Sequence, residues 1–325
     1  MTKPILILED LKTYFFTDTG TFRAVDGVSL TLNQGETLGI VGESGSGKSV
    51  TALSILRLLD PPGKIIGGKV LFDGHDLVKV SKEQIRKIRG NKISMIFQEP
   101  MSSLNPLYKV GDQIAEIIRL HQGLDRKASF GKAVELIKSV GIPEPQSRAK
   151  DYPHQLSGGM QQRIMIAMAL SCRPRIMIAD EPTTALDVTI QAQILKLMKS
   201  LQQNIGTSII FITHDLGVIA RMARKVAVMY AGKIVESCNV FDLFEDPLHP
   251  YTKALLESIP AGQKGKHANR FLRVIPGAVP NLADLPKGCA FAPRCADAWD
   301  LCRQKTPEAF RIDEDRIANC WKYAK

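Results

Sequence analysis

Residues 38–53 read LGIVGESGSGKSVTAL, and the fold of the chain turns on this stretch. Residues 38–41 are an apolar run of the length of a buried strand. Gly42, Glu43, Ser44, Gly45, Ser46, Gly47, Lys48 and Ser49 follow, and a helical pattern begins at Val50. The pattern is G-x-x-x-x-G-K-S between a strand and a helix, the context that gives the motif its chemistry. Its three glycines let the backbone turn tightly enough for successive N–H groups to converge on phosphate oxygens, and the helix N-terminus adds its positive dipole end. Lys48 would then reach the β- and γ-phosphates, and the Ser49 hydroxyl would ligate the Mg²⁺ that bridges them. The plainer alternative, a glycine-rich turn that happens to end in Lys-Ser, explains neither flank.

Upstream of this cradle, apolar runs at 5–8, 28–32 and 37–41 alternate with turns at Asp18-Thr19-Gly20 and Asn33-Gln34-Gly35. Tyr14, Phe15 and Phe16 stand together there. By themselves such aromatics are ordinary strand or core residues. Downstream come Pro61-Pro62-Gly63, a strand pair near 68–72 with a turn at Asp73-Gly74, and a basic segment of helical period at 82–89. The apolar run 93–97 ends at Gln98, and a glutamine at the C-terminal end of a strand can reach a site built along that sheet edge.

Residues 101–170 turn helical in pattern, with amphipathic segments at 110–120 and 128–140 and a break at Pro143 and Pro145. The block reads as a helical insertion in an α/β unit. At its end, LSGGMQQR (156–163) precedes another helix, so Ser157, Gly158 and Gly159 form a second anion-binding helix start, with Ser157 as simple N-cap in the plainer reading. One nucleotide can use both helix starts only if another molecule supplies one of them. The run 176–179 delivers Asp180 and Glu181 at its end, where the first can hold hydrated Mg²⁺ and the second can orient and deprotonate the attacking water. Two such carboxylates after a buried strand are costly unless used or paired. A last strand at 208–213 ends in His214-Asp215. A lone histidine is more often structural, but this one falls at the same sheet edge.

At 325 residues the chain exceeds a typical single domain, which predicts one large domain and an appendage. Glu9 and Asp10 interrupt the place where a signal peptide would have its apolar region, and no window approaches the 18 apolar residues of a membrane span. The expectation is a cytosolic chain whose membrane role, if any, is peripheral. A formal charge of +10 favours contact with something acidic without choosing among nucleic acid, an anionic membrane surface and nucleotide. Cys172 and Cys238 are isolated, whereas Cys289, Cys295, Cys302 and Cys320 crowd the C-terminal end, as a metal or cofactor site would in a reducing compartment. Their spacing, C-x5-C-x6-C-x17-C, lacks the C-x2-C pairs of common zinc modules, and leaves tetrahedral zinc and a [4Fe-4S] cluster about even.

Taken together and in this order, GESGSGKS, Gln98, LSGGMQQR, IMIADE, ALD and His214 resemble the ATP-binding subunit of an ABC transporter, over roughly residues 5–235. The resemblance implies an α/β P-loop core with an antiparallel β subdomain, a helical subdomain at about 101–171, and a C-terminal extension over 236–325. It implies that Phe15, or less readily Tyr14, stacks on adenine, that the loop from Gly42 to Val50 holds the phosphates, and that Gln98 lies near Mg²⁺ and the lytic water. Asp180 and Glu181 keep the metal and base roles, Asp187 crosses a dimer interface, and His214 contacts the γ-phosphate. Ser157, Gly158 and Gly159 would close over ATP held by a partner subunit.

In the extension, HPYTKALL, PGAVPNL and the GCxFxxRC pattern are similar to the C-terminal part of bacterial dipeptide, oligopeptide and nickel importer ATPases, and Asn105-Pro106 fits the same branch. That likeness implies an ATPase at the cytoplasmic face of the membrane that powers peptide import. Its partners would be a second ABC ATPase subunit, two integral membrane permease subunits contacted around 101–106, and, indirectly, an extracytoplasmic peptide-binding protein. It also tips the four cysteines toward a [4Fe-4S] cluster over zinc. Two other readings are a nickel importer ATPase of this branch and an ABC-type ATPase acting on nucleic acid or ribosomes. The latter usually carries coiled-coil insertions or tandem cassettes, and this chain has one cradle, one signature and no sustained heptad run.

Overall fold

The computed structural model describes residues 3–98, 103–184, 186–258 and 274–324. The chain divides into two compact units, one made of Met1–Ile5, Leu32–Thr37 and Lys79–Ile212, the other of Leu6–Thr31, Leu38–Val78 and Thr213–Lys325. Residues 101 and 102 of the expected membrane-coupling segment and Ala185 of ALD lie outside the described residues.

The second unit contains the cradle. β1 (Pro4–Thr17) and β2 (Gly20–Asn33) are each longer than the apolar runs that predicted them, β1 staying extended through the half-exposed aromatic stretch at 14–16. β1 pairs antiparallel with β4 (Gly63–Phe72), and the four-stranded order is β2-β1-β4-β5 with β5 at His75–Asp76. Asp73 (φ 49°) and Gly74 (φ 80°) make the turn between β4 and β5, both left-handed as a two-residue hairpin requires. This is the expected antiparallel subdomain.

β3 (Thr37–Val41) is buried at every position and pairs parallel with β9 (Lys225–Tyr230). A fully buried strand of this kind suits a sheet covered on both faces. Helix α1 spans Lys48–Leu56 and so begins two residues before the expected Val50. Gly47, left-handed at φ 100°, is its N-cap, which puts Lys48 and Ser49 in the first turn of the helix.

The proposed boundary at 235/236 falls inside β10 (Lys233–Asn239). Glu236, fully buried, accepts hydrogen bonds from the N–H groups of Leu248 and His249 at 2.8 Å each. Farther on, β12 (Ile317–Ala318) pairs with β10 and with β11 (Phe310–Arg311). The C-terminal segment therefore extends the β9–β10 ladder, which supplies packing that its own composition cannot.

In the first unit β6 (Ile93–Ile96), β7 (Ile176–Asp180) and β8 (Ser208–Thr213) are parallel neighbours. The basic segment forms α2 (Lys82–Ile88), and the helical insertion is present as α3 (Val110–Gln122), α4 (Arg126–Ser139), the short α5 (Pro145–Arg148) and α6 (Gly158–Leu170). Pro143 and Pro145 do break the pattern, but Pro145 also opens α5, since a proline at the first helical position gives up no needed donor. α6 is buried along most of its length and α7 (Val188–Ile205) along one face.

Candidate active site

The cradle is closed by backbone contacts that only glycine permits. Gly42 (φ 154°) lies against the Met229 carbonyl and Gly47 against the Ala24 carbonyl, so that a Cβ at either position would overlap a backbone oxygen. Gly232 N–H donates to the Ser46 carbonyl at 2.9 Å, tying the loop to the β9–β10 turn. Ser44 and Gly45 are exposed at the loop's crest, while Ser46, Gly47 and Lys48 are buried, and Ser49 and Val50 are half-buried on α1.

The Lys48 ammonium donates to the Gly42 carbonyl at 2.8 Å, the Glu43 carbonyl at 2.9 Å and Ser46 Oγ at 3.4 Å. It is thus held across the mouth of the loop by weak neutral acceptors, and phosphate oxygens are the stronger acceptors for the same donors. Glu43 is anchored as well. Its N–H donates to the Tyr251 hydroxyl at 2.9 Å, and its carboxylate receives both arms of the Arg294 guanidinium at 2.8 and 3.0 Å. Sequence reasoning assigned Glu43 to the phosphate loop and gave Tyr251 and Arg294 no role. Both lie in motifs it quoted, HPYTKALL and GCAFAPRC, but nothing in the sequence says that these motifs reach Glu43.

The second set of residues sits at the C-terminal ends of β6, β7 and β8. Asp180 closes β7 and is buried. Glu181 follows at φ 47°, a left-handed conformation that a non-glycine residue adopts only when its surroundings enforce it. Its N–H donates to the Ile212 carbonyl on β8 at 2.9 Å. Its carboxylate oxygen accepts from Gln98 Nε2 at 3.2 Å and from Thr184 Oγ1 at 2.9 Å. The structure therefore brings Gln98 and Glu181 together, two residues that the sequence could only place at ends of separate strands. Thr184, which helps to orient the carboxylate, was missed. β8 hands the chain on to His214, which is exposed.

Ser157 is the N-cap of α6, its Oγ accepting from Met160 N–H at 3.4 Å, and Ser157 and Gly158 are exposed. Gly159 is half-buried, with Ile190 of α7 beside it. Asp187 caps α7 through Ile190 N–H at 2.9 Å and is exposed. Tyr14 is committed through its hydroxyl to Asp26 at 2.8 Å, and burial first, then that bond, pushes it up to about 12. The Arg23 guanidinium lies 5.9 Å from its ring centroid. Phe15 is half-buried on the opposite face of β1, opposite Gly63, and Phe16 is exposed.

Cys289, Cys295, Cys302 and Cys320 line one cavity with His249, Phe291, Trp299 and Trp321. All six cysteines are free thiols. Burial pushes Cys289 up to about 11, with the charges of Cys302 and Cys320 acting in the same sense, and burial also raises Cys295 and Cys320. Among the described residues, no group of three or more His, Cys, Asp or Glu is arranged to hold a metal ion. The expected four-cysteine site thus stands as a shared cavity, without a ligand set drawn around a single ion. Among the described residues, no helix is long and apolar enough to cross a membrane.

Residues 25–184 match the model of the ABC transporter family, and residues 235–302 match that of the oligopeptide/dipeptide transporter C-terminal region. The chain is 50% identical over 322 residues to the oligopeptide transport ATP-binding protein AppD of Bacillus subtilis, covering 98% of this chain and 97% of that protein. To the dipeptide transport ATP-binding protein DppD of Escherichia coli it is 48% identical over 316 residues, covering 97% and 96%. Among solved structures, the dimeric post-hydrolysis state of the ATP-binding cassette MJ0796 bound to ADP and Pi superposes with a TM-score of 0.65 at 30% identity, covering 72% of this chain and 98% of that one. With a phosphate cradle of this geometry, a glutamine-oriented carboxylate after β7 and near-complete alignment to such relatives, the chain belongs to the ABC transporter ATPases of the oligopeptide/dipeptide transporter family.

Proposed function

We propose that this chain is the ATP-hydrolysing subunit of an importer of dipeptides or oligopeptides, acting at the cytoplasmic face of the membrane with a second ATPase subunit and two permease subunits. The observation that carries hydrolysis is Glu181, strained into a left-handed conformation with its carboxylate oriented by Gln98 and Thr184. Peptide import is supported by the C-terminal family match and by what AppD and DppD are named for.

In this reading the loop from Gly42 to Ser49 receives the phosphates, and Lys48 exchanges the carbonyls of Gly42 and Glu43 for phosphate oxygens. Ser49, Gln98 and Asp180 would hold Mg²⁺, which neutralises charge on the transferring group when bound. Glu181 takes the proton of the attacking water, His214 contacts the γ-phosphate, and Phe15 or Tyr14 supports adenine. Ser157, Gly158 and Gly159, at a helix start exposed at Ser157 and Gly158, serve the nucleotide of the partner subunit, and Asp187 meets that partner. Transfer of a phosphoryl group to water needs positioning and charge neutralisation more than covalent help, so this set suffices.

The test is Glu181→Gln. A glutamine can still present an oxygen to Gln98 and Thr184 but cannot take a proton, so single-turnover hydrolysis should fall about 10²–10⁴-fold while nucleotide binding persists. Hydrolysis by the variant at the wild-type rate would remove Glu181 from its role. Capture of the wild-type protein from its native membrane together with a multi-span permease tests the transport reading.

At the four cysteines, the likeness of the C-terminal segment to that of peptide importer ATPases supports a [4Fe-4S] cluster over zinc. Cys289, Cys295, Cys302 and Cys320 would be its ligands, and it would supply a staple for this segment. Anaerobically purified protein should be brown and contain iron and acid-labile sulfide near four each per chain. Stoichiometric zinc without sulfide would overturn this.

A further inference from the structure

Glu43 places a negative charge in a loop that has to receive a polyanion. In the structure all three of its polar groups are held. Its carbonyl accepts from Lys48 Nζ, its N–H donates to the Tyr251 hydroxyl, and its carboxylate takes both arms of Arg294. Tyr251 lies 208 residues and Arg294 251 residues farther along the chain, in the C-terminal segment.

Arg294 is itself fixed on every side. Its side chain is 5% exposed, Nε donates to the Pro276 carbonyl at 2.9 Å, and Nη1 is 3.3 Å from the Tyr230 hydroxyl. The guanidinium carbon lies 5.8 Å from the Tyr230 ring centroid. Tyr230, Tyr251 and Phe291 pack against one another with centroids 4.6–5.3 Å apart, so the residues that grip Glu43 are set in one aromatic cluster. A two-armed pair to a nearly buried guanidinium has a fixed geometry, unlike a surface ion pair between mobile side chains.

We infer that Arg294 and Tyr251 are positioning residues for nucleotide binding. Arg294 neutralises Glu43 in the presence of the incoming phosphates, and Tyr251 fixes the Glu43 peptide whose carbonyl holds Lys48. The C-terminal segment thereby sets the ATP affinity of a loop it does not belong to. Because Arg294 directly precedes Cys295, disturbing the cysteine-lined segment reaches the cradle through a single peptide bond. The inference rests on the reading of Gly42–Ser49 as the ATP site.

The experiment measures binding of a fluorescent ATP analogue with Mg²⁺, KM and kcat for ATP, and thermal unfolding, on full-length Arg294→Gln, Glu43→Gln, the double variant and Lys48→Ala. Arg294→Gln leaves the Glu43 carboxylate unpaired beside the phosphates and should weaken binding roughly tenfold, raising KM while kcat changes less than about twofold. The double variant, with no carboxylate left, should regain most of that affinity. A merely structural Arg294 would lower the unfolding temperature, leave the affinity of the folded protein unchanged and show no rescue by Glu43→Gln, and that result overturns the inference. If Arg294→Gln does not fold, Arg294→Lys, which keeps the charge but loses the fork, and Tyr251→Phe take its place, and wild-type affinity in both is the overturning result. Wild-type binding by Lys48→Ala would instead sink the ATP-site reading itself, so the two failures are distinguishable.

Discussion

Gly47→Ala puts the geometry of the cradle to a quantitative test. Gly47 sits at φ 100° as the N-cap of α1, and a Cβ there would overlap the Ala24 carbonyl oxygen and come within 3.3 Å of Met229 Cε. Ala24 is buried in β2, so the obstacle is backbone and cannot swing away as a side chain end could. The left-handed conformation costs about 1–3 kcal/mol for a non-glycine residue. Relieving the overlap costs a further ~1–3 kcal/mol by displacing the loop or β2. Even the smaller sum, about 2 kcal/mol set against the phosphate-ready conformation, corresponds to roughly 30-fold weaker nucleotide binding at 1.4 kcal/mol per decade. The assay is titration with a fluorescent ATP analogue beside thermal unfolding. Gly74→Ala serves as control, since Gly74 is also left-handed, at φ 80°, but a Cβ there meets nothing within 4 Å. It should lower the unfolding temperature while leaving ATP affinity alone. Binding by Gly47→Ala within about threefold of wild type, at an unchanged unfolding temperature, would refute the reasoning.

Because Ser157 is assigned to the neighbour's nucleotide, Ser157→Arg should bind ATP normally as a monomer yet fail to hydrolyse it. Mixed with Lys48→Ala it should leave at most one working composite site, and loss of monomeric ATP binding in Ser157→Arg would show the assignment to be wrong. His249, 1% exposed, has its pKa pushed down to about 3, chiefly by burial, with the hydrogen bond its ring donates to the Asn319 backbone opposing and the Lys322 charge acting in the same sense as burial. The unfolded chain takes up this proton near pH 6.5 and the folded one only near 3, so the contribution is fully present above about pH 6.5 and is lost as pH falls toward 3. His249→Asn should remove about 2 kcal/mol of the stability lost between pH 6.5 and 5, at ~1.4 kcal/mol per pH unit, as read by urea unfolding. An unchanged pH slope in the variant would mean that His249 is not buried as a neutral ring.

Local sequence was enough wherever one short segment carries both the geometry and the chemistry. An apolar strand, three glycines, Lys-Ser and a helix cannot be arranged in many other ways, and so the cradle, the helix start at Ser157 and the carboxylates at the end of β7 were all legible. The hairpin turn at Asp73-Gly74 and the helices of the insertion were legible for the same reason. Boundaries shifted where neighbours decided them. α1 starts at Lys48 because Gly47 takes the left-handed cap, and β1 outruns its apolar run because β4 pairs with it as far as Phe15.

What no local pattern contains is which distant residues meet. The contact of Gln98 with Glu181 spans 83 residues, and that of Arg294 with Glu43 spans 251. The first depends on the pairing of β6 with β7 and the second on where the C-terminal segment packs, properties of the packed chain rather than of any local stretch. The four cysteines show both sides of this. Their crowding is plain in the sequence, but only the fold gathers them with His249 and two tryptophans around one cavity and seats the neighbouring Arg294 on the cradle. Sequence determines local backbone chemistry because that is fixed by covalent neighbours and short-range hydrogen bonds. Long-range pairing is fixed only when burial of the whole core selects one arrangement.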